Sequence, residues 1–126
     1  MDENLMAAVE RELLAWPGVV MAVGRFDSVQ FNVGRREIGH VHRDGTADLP
    51  FPRSVHDELI DAGAARPHRA GVAGFVSVRL RSTEDVAPVV ALFRRNYERA
   101  VADAARRASE NGSTRQKLQV AGVDSV

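Results

Sequence analysis

The chain has 126 residues, enough for one continuous core, and its 44% apolar and 27% charged content is that of an ordinary globular domain. Its 17 basic and 17 acidic side chains cancel, which disfavours a dedicated nucleic-acid binder, since such a protein draws affinity from a basic excess. The absence of cysteine excludes disulfides, thiolate nucleophiles and Cys-ligated zinc.

No apolar run approaches the roughly 20 residues that a membrane span needs. The start, Met1-Asp2-Glu3-Asn4, lacks the basic and apolar regions of a signal peptide. A cytoplasmic protein is therefore expected. Sixteen of the 17 basic residues are Arg, with Lys117 the one lysine, a bias expected of a GC-rich bacterial genome.

Residues 2–16 carry Leu5, Val9, Leu13 and Trp16 on one stripe at helical period, with Asp2 or Asn4 as cap and Pro17-Gly18 as stop. The period then changes to two. Val19–Gly24 reads as a first strand, and Val29, Phe31 and Val33 alternate with Gln30 and Asn32 in a second. Gly34-Arg35 suits a tight hairpin turn into a third strand, Arg36–His42, and Arg43-Asp44-Gly45 suits the loop to a fourth, Thr46–Leu49. Pro50-Phe51-Pro52 launches a helix over 53–62, with Val55, Leu59 and Ala62 inward and Gly63 as its cap. A loop over 64–73 leads to the strand Phe75–Leu80. Ser82 or Thr83 then caps a last helix whose buried stripe is Val86, Val89/Val90, Phe93, Tyr97 and Val101. Glu110-Asn111-Gly112-Ser113-Thr114 is expected to break it. The sequence thus predicts one α+β domain over 1–109, in the order α-β-β-β-β-α-β-α, and a disordered tail over 110–126. The domain is an antiparallel sheet of about four to five strands with helices packed on one face.

The chemistry gathers at the third and fourth strands. With Arg43-Asp44-Gly45 as the loop, His40 lies opposite Asp48, and His40 and His42, two apart, share a face. Cross-strand neighbours have Cβ atoms about 4.5–5.5 Å apart. His40, His42 and Asp48 are therefore the candidate catalytic cluster, since a carboxylate raises the pKa of an imidazole and fixes its tautomer. The uninterrupted register from the Gly34-Arg35 turn puts His40 on the same face as Val29, Phe31 and Ile38, against the helices, and Glu37 on the other face. Glu37, Phe51 and His68 are candidate substrate contacts. His-x-His could place two nitrogens on one ion with Asp48 or Glu37 as oxygen ligand, but metal sites usually take three or more protein ligands, so no metal is assigned. No nucleophile elbow, phosphate-binding loop or dinucleotide fingerprint is present, and no cofactor is indicated.

The run Gly34-Arg35-Arg36-Glu37-Ile38-Gly39-His40-Val41-His42, followed by Ala47-Asp48-Leu49-Pro50-Phe51-Pro52, resembles the small bacterial proteins of the luciferase-domain family. The similarity continues through Asp57-Glu58-Leu59, Gly63-Ala64-Ala65, Pro67-His68 and Glu84-Asp85-Val86 to Tyr97-Glu98-Arg99. The resemblance implies a small soluble domain of unassigned activity. It also implies departures: relatives carry Trp near Phe75 and often a second His where this chain has Arg69. The Trp16-Pro17-Gly18-Val19 opening and the element order are loosely similar to the MmcQ/YjbR group, which supports the fold.

Two functions are compatible with these residues. One is a small-molecule site, enzymatic or not, built on His40, His42 and Asp48. The other is a binding module that contacts protein or nucleic acid through the Arg-rich face of the last helix, of which nucleic acid is the less favoured by the charge balance.

Overall fold

The computed structural model describes residues 3–124, with side chains for residues 3–111. The elements are α1 (Glu3–Leu14), β1 (Val19–Val23), β2 (Ser28–Val33), β3 (Arg36–His42), β4 (Thr46–Pro50), α2 (Arg53–Asp61), β5 (Arg66–Pro67), β6 (Phe75–Arg79) and α3 (Thr83–Asp124). The α+β class and the element order are those expected, with the two-residue β5 added inside the segment read as a loop. Asp2 as a helix cap lies outside the described residues. No helix among the described residues is long and apolar enough to cross a membrane.

All strand pairs are antiparallel, and the sheet order is β1-β2-β3-β4-β6-β5. The helices lie on one face. Leu5, Val9 and Leu13 of α1 are buried with Phe93 and Tyr97 of α3, and Phe93 meets Phe31 of β2 edge to face at 5.5 Å. Glu58 of α2 pairs with Arg95 of α3 at 2.9 Å across the exposed surface. Trp16 is half-buried, packed on Tyr97 and capped by the Arg94 guanidinium 5.1 Å above its ring. In α3 the inward position falls on Ala100 at 4% exposure, and Val101, expected in the stripe, is 42% exposed. The expected break at Glu110–Thr114 is absent, and α3 runs on to Asp124.

One irregularity decides the geometry of the site. Pairing runs Val33↔Arg36 and Asn32↔Glu37, then shifts to Phe31↔Gly39, Gln30↔His40, Val29↔Val41 and Ser28↔His42. Ile38 is the extra residue of a β-bulge. A bulge changes which side chains share a face, so Ile38 and Gly39 both face the helices, while Glu37, His40 and His42 face away. The uninterrupted register is thus overturned. His40 lies opposite Gln30 and not Val29, and Glu37 joins its face.

The bulge is held from above. Asn96 of α3, 4% exposed, donates through Nδ2 to the Ile38 carbonyl at 3.1 Å and to the Pro50 carbonyl at 2.5 Å, and its Oδ1 accepts from Arg99 at 2.8 Å. Leaving a buried carbonyl without a donor costs about 1–3 kcal/mol. Asn96→Leu, which strips both carbonyls, is expected to lower stability by about 2–4 kcal/mol in urea unfolding. A loss under about 0.5 kcal/mol would mean that the bulge does not depend on this side chain.

Candidate functional site

The face of the sheet away from the helices carries the polar residues of β2, β3, β4 and β6. Three strand alternations converge there, because His40 pairs with Asp48 and Asp48 with Ser77 across adjacent strands. Asp48 is 1% exposed. Its Oδ1 accepts from the Ser77 hydroxyl at 2.6 Å. Its Oδ2 faces three imidazoles, with His42 Nε2 at 2.8 Å, His40 Nε2 at 3.3 Å and His68 Nε2 at 3.4 Å. On the other side of His40, Nδ1 meets Glu37 Oε2 at 2.6 Å. The His40 and His42 rings stand edge to face with centroids 4.9 Å apart.

These contacts set the charges. Hydrogen bonds to Asp48 and Glu37 outweigh partial burial and raise the His40 pKa from 6.5 to about 9, so this imidazole is a cation at neutral pH. For Asp48, burial pushes the pKa up, but the hydrogen bonds of His40, Ser77 and His42 prevail and hold it well below the usual carboxylate range. The cluster therefore pairs a buried carboxylate with a charged imidazole.

His68 reaches the cluster from the segment between β5 and β6. Its Nδ1 accepts the Ala70 N–H at 3.1 Å, the Gly71 N–H bonds its carbonyl at 2.9 Å, and neighbouring Arg69 pairs with Asp44 of the β3–β4 turn at 2.7 Å. An Nδ1 that accepts leaves the proton of a neutral imidazole on Nε2. His68 therefore donates toward Asp48.

Above this floor lies a cleft of about 760 Å³. Phe75, with its ring centroid 5.8 Å from that of His40 and 6.0 Å from that of His68, forms its inner wall. Its mouth is formed by two rim segments that contribute no buried side chain, the β1–β2 turn over 24–27 and the segment 68–74. Phe26 and Val72 on these rims are 87% and 49% exposed. Phe26 and Asp27 both hold left-handed backbone, with φ of 55° and 60°, a conformation uncommon outside glycine, asparagine and aspartate. It places an aromatic ring at the opening.

Of the residues singled out in the sequence, His40, His42, Asp48, Glu37 and His68 come together. Phe51 does not: it is 5% exposed within the core, below the sheet, and Phe75 provides the aromatic surface of the cleft. His56 pairs with Asp57 on α2, outside the cleft. The sequence reading missed Ser77, whose place on the polar face follows from the Phe75–Arg79 alternation, and Phe26, for which no sequence signal exists.

The fold and the site define a small α+β domain with a histidine-lined cleft on the open face of its sheet. Residues 35–96 match the family model of the luciferase domain. Glu37, His40, His42, Asp48, His68 and Ser77 all fall within the match. No match to the MmcQ/YjbR group accompanies it. No curated protein and no solved structure matches the chain significantly.

Proposed function

We propose that this protein binds a small organic molecule in the open-face cleft, with His40 as its acid and electrostatic anchor. The observation that supports this most is the convergence of three imidazoles, Asp48 and Glu37 beneath a cleft that presents Phe75 on its wall and Phe26 and Val72, among charged side chains, at its mouth. Polar groups clustered under an apolar pocket are the usual composition of a ligand site. Such a cleft favours a ligand with a planar apolar body, packed on Phe75 between Phe26 and Val72, and an acidic hydroxyl or carboxylate directed at His40. With a pKa of about 9, His40 holds its proton at neutral pH. It is suited to donate a proton or neutralise an anion, and a base would need a lower value. Asp48 orients it, and His42 is the second contact for the ligand.

The alternative, a macromolecular contact through α3, has less support because three of its arginines are already paired. Arg94 bonds Glu98 at 3.1 Å, Arg95 bonds Glu58 and Arg106 bonds Asp103.

The test is ligand-observed NMR with a panel of phenols and aromatic carboxylates, on protein kept in chelator. Binding by the wild type is expected for panel members carrying both an aromatic body and an acidic group. It should weaken at least about tenfold in His40→Gln and in Phe75→Ala. Binding that neither change affects would place the ligand elsewhere.

A further inference from the structure

We propose that His40 Nε2, His42 Nε2 and Asp48 Oδ2 form a binding site for one divalent first-row transition-metal ion, with open coordination positions facing the cleft. One candidate ligand atom from each of the three residues lies within 4.8 Å of the other two. Ligand bonds of about 2.0–2.2 Å separate adjacent donor atoms in a tetrahedral or octahedral shell by roughly 3.0–3.5 Å. The Asp48 Oδ2 contacts, 2.8 Å to His42 and 3.3 Å to His40, sit close to that spacing. Small movements of the two rings would set the shell.

The surroundings match what a metal site requires. Glu37 holds His40 Nδ1 at 2.6 Å, which places the proton on Nδ1 and turns the Nε2 lone pair inward, the carboxylate–histidine–metal arrangement. Ser77 holds the other oxygen of Asp48 and fixes the carboxylate plane. As a hydrogen-bond acceptor alone, Asp48 Oδ2 is overcrowded. Three imidazole nitrogens compete for it, and two of the contacts exceed 3.2 Å, beyond the usual N–H···O range. An ion at the centre resolves this competition.

The donor set also narrows the ion. Two imidazoles and one carboxylate suit first-row transition metals, whereas calcium and magnesium prefer all-oxygen shells and copper(I) prefers sulfur. Three protein ligands leave positions for water or an organic ligand, unlike a closed structural site. His68 is excluded from the shell by its Nδ1, which accepts the Ala70 N–H. Its Nε2–H remains a donor to Asp48 or to whatever occupies the open positions.

This inference rests on the reading of the cluster as the functional site, and deepens it. The ion would supply the positive charge that an acidic ligand group needs, in place of the protonated His40. The ligand screen in chelator and the metal titration fail independently. Organic-ligand binding without metal binding removes only the ion, whereas metal binding with no panel ligand removes only the organic reading.

The experiment is calorimetric titration of chelator-treated, dialysed full-length protein with Zn²⁺, and optical titration with Co²⁺. One equivalent is expected to bind with a Kd of about 1 µM or tighter. His40→Gln, His42→Gln and Asp48→Asn should each weaken binding at least about 100-fold, and Glu37→Gln about 10-fold. His56→Ala, outside the cleft, should stay within a few-fold of wild type. Circular dichroism checks that each variant is folded. Should Asp48→Asn fail to fold, His42→Gln and the metal-dependent rise in the wild-type melting temperature carry the test. No saturable binding by the wild type overturns the site. So does binding that survives His42→Gln, and a His68→Ala loss as large as that of His40→Gln overturns the ligand set.

Discussion

Gly39→Ala is expected to abolish the native fold or to destabilise it by at least about 3 kcal/mol in urea unfolding. The added Cβ would lie 2.4 Å from Phe93 Cε1, 2.9 Å from Cζ of the same ring and 3.1 Å from Leu49 Cγ. Phe93 is fully buried against Phe31 and cannot swing away without opening the core. The backbone adds a second penalty, because Gly39 holds φ at 152°, where L side chains are strained. Both penalties arise from the bulge. Paired substitution of Gly39→Ala with Phe93→Leu separates them, since the smaller side chain relieves the clash and leaves the backbone strain. Full recovery in the double variant would show that strain contributes nothing, and an unaffected single variant would mean that the bulge is placed elsewhere.

In chelator, Asp48→Asn is expected to cost about 3 kcal/mol at neutral pH, the scale for breaking a buried ion pair by neutralising one partner. It should also change the shape of stability against pH. The His40 pKa is raised from 6.5 to about 9, so its contribution is fully present below pH 6.5 and is lost as pH rises through 9. The Asp48 pKa is depressed, so its contribution is present above the ordinary value of 3.8 and is lost as pH falls below it. Stability from this pair should therefore be greatest between about pH 4 and 6.5 and decline by on the order of 3 kcal/mol toward pH 9. In Asp48→Asn the alkaline decline should shrink but not vanish, since Glu37 still holds His40. Urea unfolding across that range decides the matter. A variant curve parallel to that of the wild type would show that Asp48 does not control the His40 proton.

The legible part of this molecule was the part governed by local rules. Alternation and turn residues placed β2, β3 and β4 within a residue or so, and the Arg43-Asp44-Gly45 loop, with φ of 90° at Gly45, set His40 opposite Asp48 as expected. The face on which the pair lies was read wrongly, because one extra residue changes the parity of a strand and Ile38 is an ordinary strand residue. The available signal was Gly39, a glycine within a strand, which points to a bulge or a close backbone approach and here accompanies both. The last helix was under-read because Asn111-Gly112-Ser113 has poor helix propensity, a weak prior that the structure overrides. His68 and Ser77 were beyond local reasoning. They reach Asp48 across 20 and 29 residues of chain, and only the order β4-β6-β5 brings them near.

The rim segments have an implication for how readily this scaffold could change its preferences. Arg25, Phe26, Asp27, Arg69 and Val72 stand over the cleft, yet residues 24–27 and 68–74 place no side chain in the core. Exposed loop positions tolerate replacement far better than packed ones. The floor, by contrast, is built from strands and is tied to the hydrophobic interior one sheet thickness below. Selectivity and foldability are thus encoded in different parts of the chain. A combinatorial library confined to these five rim residues is expected to alter what the cleft accepts while the melting temperature and the histidine floor, His68 included, stay as they are.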